Sequence, residues 1–313
     1  MYHRTDQHAY YKKVLAPLEI KTIKRIRRRA ARIMCGHVLT KLRTELRRKK
    51  YRESLGIAAK LLKSEWRQYR AFRPDRRAIS PESLCFSDRR IAVYMAVFDG
   101  YDCPQEPLFC PDNVDYFIFT DGEVPENSKW VRRSWEEFVD DPRMSGIEKN
   151  RFLKMFPHLL FPEYEYSVYV DGNVLVTADF TPLAMQTADY PVAMHIHKDW
   201  DCVYEEIDAC IKKRKDTPEA LSRQRTVFQQ LGIPAHWGFL EATVIARRHH
   251  DPVCRKIMET WWNCFCIGCR RDQIALIRCL WELQIHPQRL GGLGTNMIAN
   301  SKFIWSPHKR LQK

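Results

Sequence analysis

The sequence predicts an α/β protein with a mostly parallel sheet flanked by helices, preceded by a basic helical segment. Three observations lead there. Beyond Asp88, short β-branched and aromatic runs alternate with longer helical patterns, the order of parallel strands joined by crossover helices. Three of those runs lead into Asp-Gly, at Asp99-Gly100, Asp121-Gly122 and Asp171-Gly172, and ligands of open α/β sheets bind outside the carboxyl ends of strands. The charge also divides the chain: residues 1–80 hold 24 Lys/Arg against 6 Asp/Glu, whereas the remaining 233 hold 28 against 32. The expected organisation is a basic extension and linker over 1–80 and an α/β domain over 81–313.

Within 18–69, apolar residues recur at helical spacing (Ile20, Ile23, Ile26, Ala30, Ile33, then Val38, Leu42, Leu46) between Arg and Lys, which predicts two or three basic amphipathic helices. Such helices either lie on anionic lipid or a polyanion, or pack on the body with their charges in water. Residues 72–80 (FRPDRRAIS) have the proline and charge of a linker. The body then reads as strand 91–98, strand 116–120, a short strand near 130–133, a helix over 151–160 bent at Pro157, and strand 166–170. After these come strand 192–197, helix 204–213, strand 242–247, helix 252–264 and helix 273–283.

Composition excludes several classes. At 45% hydrophobic the chain buries a real core, and no run of eighteen apolar residues predicts a membrane-spanning helix. The first thirty residues lack the apolar stretch of a secretion signal. Eleven cysteines with irregular spacing fit a reducing cytoplasm better than a disulfide framework. Cys264, Cys266 and Cys269, with His249 or His250, have ligand types for zinc, but packing cysteines beside a loop is the preferred reading. Neither G-x-G-x-x-G nor the phosphate-binding G-x-x-x-x-G-K-S/T occurs.

Chemistry concentrates in PHLLFPEYEYSVYVDGNVLV, residues 157–176. Asp171 and Asn173, two apart at a strand end, can both offer oxygen to a hard divalent ion, and Gly172 lets the backbone come close. Asp99 and Tyr101, after the first strand, are placed to cup a base and ribose. Arg151 and Lys154, three apart on one helix, share a face and could neutralise a diphosphate. Asp272, opening a helix, could equally be its N-cap. Glu241 follows Trp237-Gly238-Phe239, a segment suited to stacking on a sugar, and could serve as a base or bind hydroxyls. His195 and His197 alternate on one strand, and one reads as a core histidine. Glu205 and Glu206 suit the first turn of a helix.

In order, Arg151-x-x-Lys154, Pro157-His158, Phe161-Pro162, Tyr166-Ser167 and Asp171-Gly172 resemble a family of glycosyltransferase-like domains found in plant mucilage-related proteins and bacterial polysaccharide loci. The resemblance continues through His197, Cys202-Val203-Tyr204-Glu205-Glu206, Gly238-Phe239-Leu240-Glu241, Val244-Ile245, Arg247 and Arg271-Asp272-Gln273, covering roughly 91–279. It implies a GT-A-type fold similar to glycogenin-like transferases, a nucleotide-diphosphate sugar as donor, and Mn²⁺ or Mg²⁺. It also implies that Asp272 and Gln273 lie near the reacting sugar carbon and acceptor, that His308 reaches the metal, and that Lys309 reaches phosphate. Asn173 stands where such folds usually carry a second acid.

The resulting expectation is a metal-dependent glycosyltransferase acting on a glycan hydroxyl in the cytoplasm, with 1–80 able to dock at the inner face of a membrane. The alternative is a nucleic-acid or polyanion-binding protein whose basic helices do the work beside a catalytically silent body. Few aromatics (Tyr51, Trp66, Tyr69) accompany those basic residues, so a base-stacking platform is not evident there.

Overall fold

A computed structural model describes residues 89–139, 141–197, 200–294, 297, 300, 302–305 and 308. The basic segment 1–80 and Lys309 lie outside the described residues. The elements in order are β1 (Ile91–Val97), β2 (Val114–Thr120), β3 (Val131–Arg132), α1 (Gly146–Met155), α2 (Pro157–Leu160), β4 (Tyr166–Val170), β5 (Val174–Val176), α3 (Thr181–Met185) and β6 (Val192–Ile196). They continue with α4 (Val203–Lys212), α5 (Pro218–Gln230), β7 (Leu240–Arg248), α6 (Pro252–Ile267), α7 (Asp272–Glu282), a 3₁₀ turn (Pro287–Leu290) and β8 (Phe303–Trp305).

Among the described residues, six strands form one sheet in the order β3-β2-β1-β4-β7-β6. β1 runs parallel to β2 and β4, and β2 parallel to β3, whereas β7 lies antiparallel to both its neighbours. Five strands therefore point one way and β7 alone opposes them. The consequence is that β1, β2 and β4 all deliver their Asp-Gly ends to the same edge.

Burial on both faces explains why β1 is an unbroken apolar run. Ala92, Tyr94 and Ala96 face a core filled by Leu153 and Met155 of α1, Ile257, Met258 and Trp261 of α6, and Leu276 and Leu280 of α7. Ile91, Val93, Met95 and Val97 face the other way, against Leu183 and Ala184 of α3, Val174 and Val176 of β5, and Phe303 of β8. A third cluster joins α4, α5 and α7 through Ile207, Leu221, Phe228 and Ile277.

The helix expected over 151–160 is two helices. α1 begins earlier, at a capping box in which Ser145 and Glu148 satisfy each other's backbone N–H groups. It ends at Phe156, because Pro157 has no N–H to continue the ladder and instead starts α2. Among the described residues, α3, α5, β5, β8 and the 3₁₀ turn are additional to the sequence reading. α5 carries a polar surface that dilutes its apolar period, and β5 and β8 are three residues each and pair across more than a hundred positions.

Candidate active site at the carboxyl edge of the sheet

Asp171 follows β4 directly, and its N–H donates to the Thr243 carbonyl at 3.0 Å, extending the β4–β7 ladder by one step. Its carboxylate meets the Lys154 ammonium at 3.6 Å. The same ammonium lies 2.8 Å from Asp272 Oδ2, and Arg151 Nε approaches that oxygen at 3.2 Å. The Lys154 side chain is 1% exposed and that of Asp272 4%, against 26% for Asp171 and 19% for Arg151. Lys154 is thus enclosed between two carboxylates, over the ring of Tyr169 at 4.9 Å, while Asp171 and Arg151 form the open side of the cluster.

Charges buried this deeply must be compensated. Burial alone would raise the Asp272 pKa, yet Arg151, Lys154 and Arg271 hold it well below the ordinary carboxylate range. Burial likewise opposes the charge on Arg151, but Asp272, Tyr169 and Asp171 outweigh it. The N-cap of α7 is Arg271, so Asp272 is its first residue and not a cap; the carboxylate turns instead to Lys154. Its backbone carbonyl accepts a hydrogen bond from Trp261 Nε1 at 2.7 Å, which anchors the start of α7 to α6.

The helix bearing both cations is pinned from below. Asn150 Nδ2 donates to the Ala96 carbonyl near the end of β1. Arg247, wholly buried in β7, donates from Nη1 to the Lys154 carbonyl at 2.6 Å and from Nη2 to the Tyr94 hydroxyl at 2.7 Å. That hydroxyl lies 3.1 Å from the Leu153 and Lys154 carbonyls. These are last-turn carbonyls without intrahelical partners, at the negative end of the helix dipole, where a cation is favoured.

Next to Asp272, Gln273 Nε2 donates to the Leu240 carbonyl at 3.1 Å and to Glu241 Oε2 at 3.3 Å. Asp171, Lys154, Asp272, Gln273 and Glu241 therefore form one connected series from the end of β4 to the start of β7, with Arg151 beside it. Phe239 is fully buried and cannot stack on a sugar, which leaves the half-buried Trp237 as the aromatic of that segment. His195 is the core histidine, hydrogen-bonded to Asn300 at 3.1 Å, and burial lowers its pKa to about 4.

A second group adjoins Asp171. His308 Nδ1 lies 3.0 Å from both oxygens of Asp102, and its ring is 4.8 Å from that of Tyr101. A Cβ at Gly172 would come within 2.5 Å of Val97 Cγ2 and 3.1 Å of Asp102 Cβ, so glycine is what lets the Asp171-Gly172-Asn173 turn sit against Asp102. Gly172→Ala should cost about 1–3 kcal/mol by overpacking. Denaturant unfolding checks this, and an unchanged midpoint would refute it.

Asp99 is set apart. Its N–H donates to Asp121 Oδ2 at 3.1 Å, and its carboxylate lies at the first turn of α1, where a Cβ on Gly146 would fall 2.1 Å from it. Asp102, Asn150, Trp261 and Arg247 escape the sequence reading as site residues. Only Arg247 leaves a signal, as a cation ending an apolar strand.

The oxygen donors beside Gly172, the carboxylates of Asp171 and Asp102 and the amide of Asn173, suit a hard divalent ion, and the imidazole of His308 adds a borderline nitrogen donor. Among the described residues no group of three or more His, Cys, Asp or Glu is arranged to hold a metal. That also covers the cysteine cluster, where Cys264 and Cys269 are buried thiols and His249 bonds to the Phe161 carbonyl.

Comparison with known proteins gives a family model, "TOD1/MUCI70, glycosyltransferase-like domain", that matches residues 79–302. Among solved structures, the chain is similar to the bifunctional glycosyltransferase WbbM at 14% identity and a TM-score of 0.38, covering 62% of this chain and 38% of that one. It is also similar to the galactosyltransferase LgtC, solved with donor and acceptor sugar analogues, at 13% identity and a TM-score of 0.32, covering 69% of this chain and 87% of that one. No curated protein matches.

Proposed function

The chain belongs to the TOD1/MUCI70 family of glycosyltransferase-like domains, and from that membership we propose that it moves a sugar from a nucleotide-diphosphate donor to a glycan hydroxyl with the help of a divalent metal. The observation that carries this reading is the buried series of opposed charges at the carboxyl edge of the sheet, with its open side formed by Asp171 and Arg151. Such a cluster is costly to bury, and a fold needing only stability would fill the space with apolar side chains.

In this reading Asp171 and Asn173, with Asp102 and His308 adjoining, would hold Mn²⁺ or Mg²⁺. The ion would supply positive charge to the diphosphate as the sugar leaves it. Arg151, the more exposed of the two cations, meets the diphosphate, and Lys154 adds its field from beneath while holding Asp171 and Asp272 together. Asp272, Gln273 and Glu241 orient the sugar and the acceptor. Tyr101 presents a ring at the surface for the base and Asp99 flanks the ribose, and Lys309, outside the described residues, is assigned to phosphate by the family resemblance alone.

Turnover of a panel of nucleotide sugars, assayed with Mn²⁺ and with chelator, tests the proposal. The expected result is hydrolysis or transfer of at least one donor that stops on chelation. Absence of turnover with every donor would overturn it.

The basic extension is proposed as a separate unit, 1–80, that docks the α/β domain 81–313 on an anionic membrane face in the cytoplasm. No helix among the described residues is long and apolar enough to cross a membrane. With vesicles containing anionic lipid the full chain should float, and float less at high salt. A chain that stays at the bottom of the gradient, or one that instead retains nucleic acid with a steep salt dependence, removes this role.

A further inference from the structure

One side chain next to the series above has no part in the reaction as described. His197 follows β6, and its N–H donates to the Phe239 carbonyl at 2.9 Å. His195 and Glu241 face each other across β6 and β7, so His197 is the diagonal neighbour of Glu241. Its Nε2 lies 3.2 Å from Glu241 Oε1. On the other side of the ring, the Trp200 N–H donates to Nδ1 at 3.3 Å.

An Nδ1 that accepts carries no proton, so the ring proton resides on Nε2, the nitrogen that faces the Glu241 carboxylate. The ring is stacked on Trp200 at 4.8 Å and 21°, with Phe239 at its edge at 5.5 Å. Only 9% of the side chain is exposed, so the imidazole has little room to turn. The opposite carboxylate oxygen, Oε2, is held by Gln273.

Resting on the transferase reading, we propose that His197 is a positioning residue: a neutral imidazole locked in the Nε2–H tautomer that, with Gln273, fixes Glu241 in one orientation toward the sugar or acceptor hydroxyls. A carboxylate gripped at both oxygens from separate elements cannot rotate. A site that must hold hydroxyls of a particular stereochemistry gains from that rigidity.

Two substitutions separate hydrogen bonding from packing. His197→Phe keeps a ring in the stack and removes the donor, whereas His197→Gln keeps an N–H and removes the ring. The Phe variant should lose about 10–100-fold in kcat, the range a hydrogen bond to a charged group supplies, with KM for the donor changing less. The Gln variant should recover most of that loss. A Phe variant as active as the original chain, or one that outperforms Gln, would overturn the proposal.

A second readout needs no activity. Two-bond ¹H–¹⁵N correlation spectra of the intact chain should show His197 in the Nε2–H form, with a shift on Glu241→Gln. The opposite tautomer, or no response, would overturn the fixed pairing even if both His197 variants failed to fold. Lack of turnover by the original chain would instead defeat the transferase reading and leave the tautomer result standing.

Discussion

Asp272→Ala is expected to destabilise the protein by about 3–5 kcal/mol, the cost of breaking a buried ion pair and leaving its partner uncompensated. Lys154 loses its closest carboxylate, at 2.8 Å, while remaining enclosed, and Arg151 loses its contact at 3.2 Å. Asp171, at 3.6 Å and more exposed, compensates only partly. Thermal and denaturant unfolding measure the effect, and a loss below about 1 kcal/mol would contradict the assignment of Asp272 as the central counterion.

The sign of the pH dependence follows from the same cluster. The folded-state pKa of Asp272 is depressed, so its contribution is fully present above the unfolded value of about 3.9 and is lost as pH falls toward the folded one. The stability gap between the original chain and Asp272→Ala should therefore be constant near neutrality and narrow below about pH 4. A gap that widened on acidification would mean that the carboxyl is neutral in the fold.

Much of this site is legible in the sequence because its parts sit at strand ends. Tyr166–Val170 reads as a strand from its β-branched and aromatic content, and the acid after it cannot be core, so the position of Asp171 follows from local chemistry alone. Arg151 and Lys154 read as a pair from helical spacing. Their difference does not: one is enclosed and the other half open because α6 and α7 close over Lys154, and those helices start a hundred residues later. The same holds for Asp102 against Asp99. Both are acids in the DGYD that follows β1, and only the approach of Gly172 selects Asp102. Arg247 reads as an oddity in an apolar strand, but its purpose depends on where the last turn of α1 lands. His197 and Glu241 are 44 positions apart and are joined by the antiparallel pairing of β6 and β7, whereas β1 to β4 pair with one another in parallel. Side chains determined by one element are thus readable, and those determined by the meeting of two are not.

Asp171→Ala is expected to separate chemistry from stability. Its removal leaves Lys154 paired with Asp272 at 2.8 Å, so no buried charge is orphaned, and its own side chain is already 26% exposed. Unfolding midpoints should therefore move far less than in Asp272→Ala. Turnover should fall by about 100-fold or more, the scale seen when one preorganised electrostatic contact to a developing charge is removed. If Asp171 and Asn173 hold the metal, the original chain should gain thermal stability on adding Mn²⁺ and the variant should not, because a ligand that binds only the folded state stabilises it by mass action. A variant that melts early and remains active would reverse the roles assigned to the two acids. One that keeps both its activity and its Mn²⁺-dependent shift would move the metal away from the end of β4, to the Asp102–His308 pair beside it.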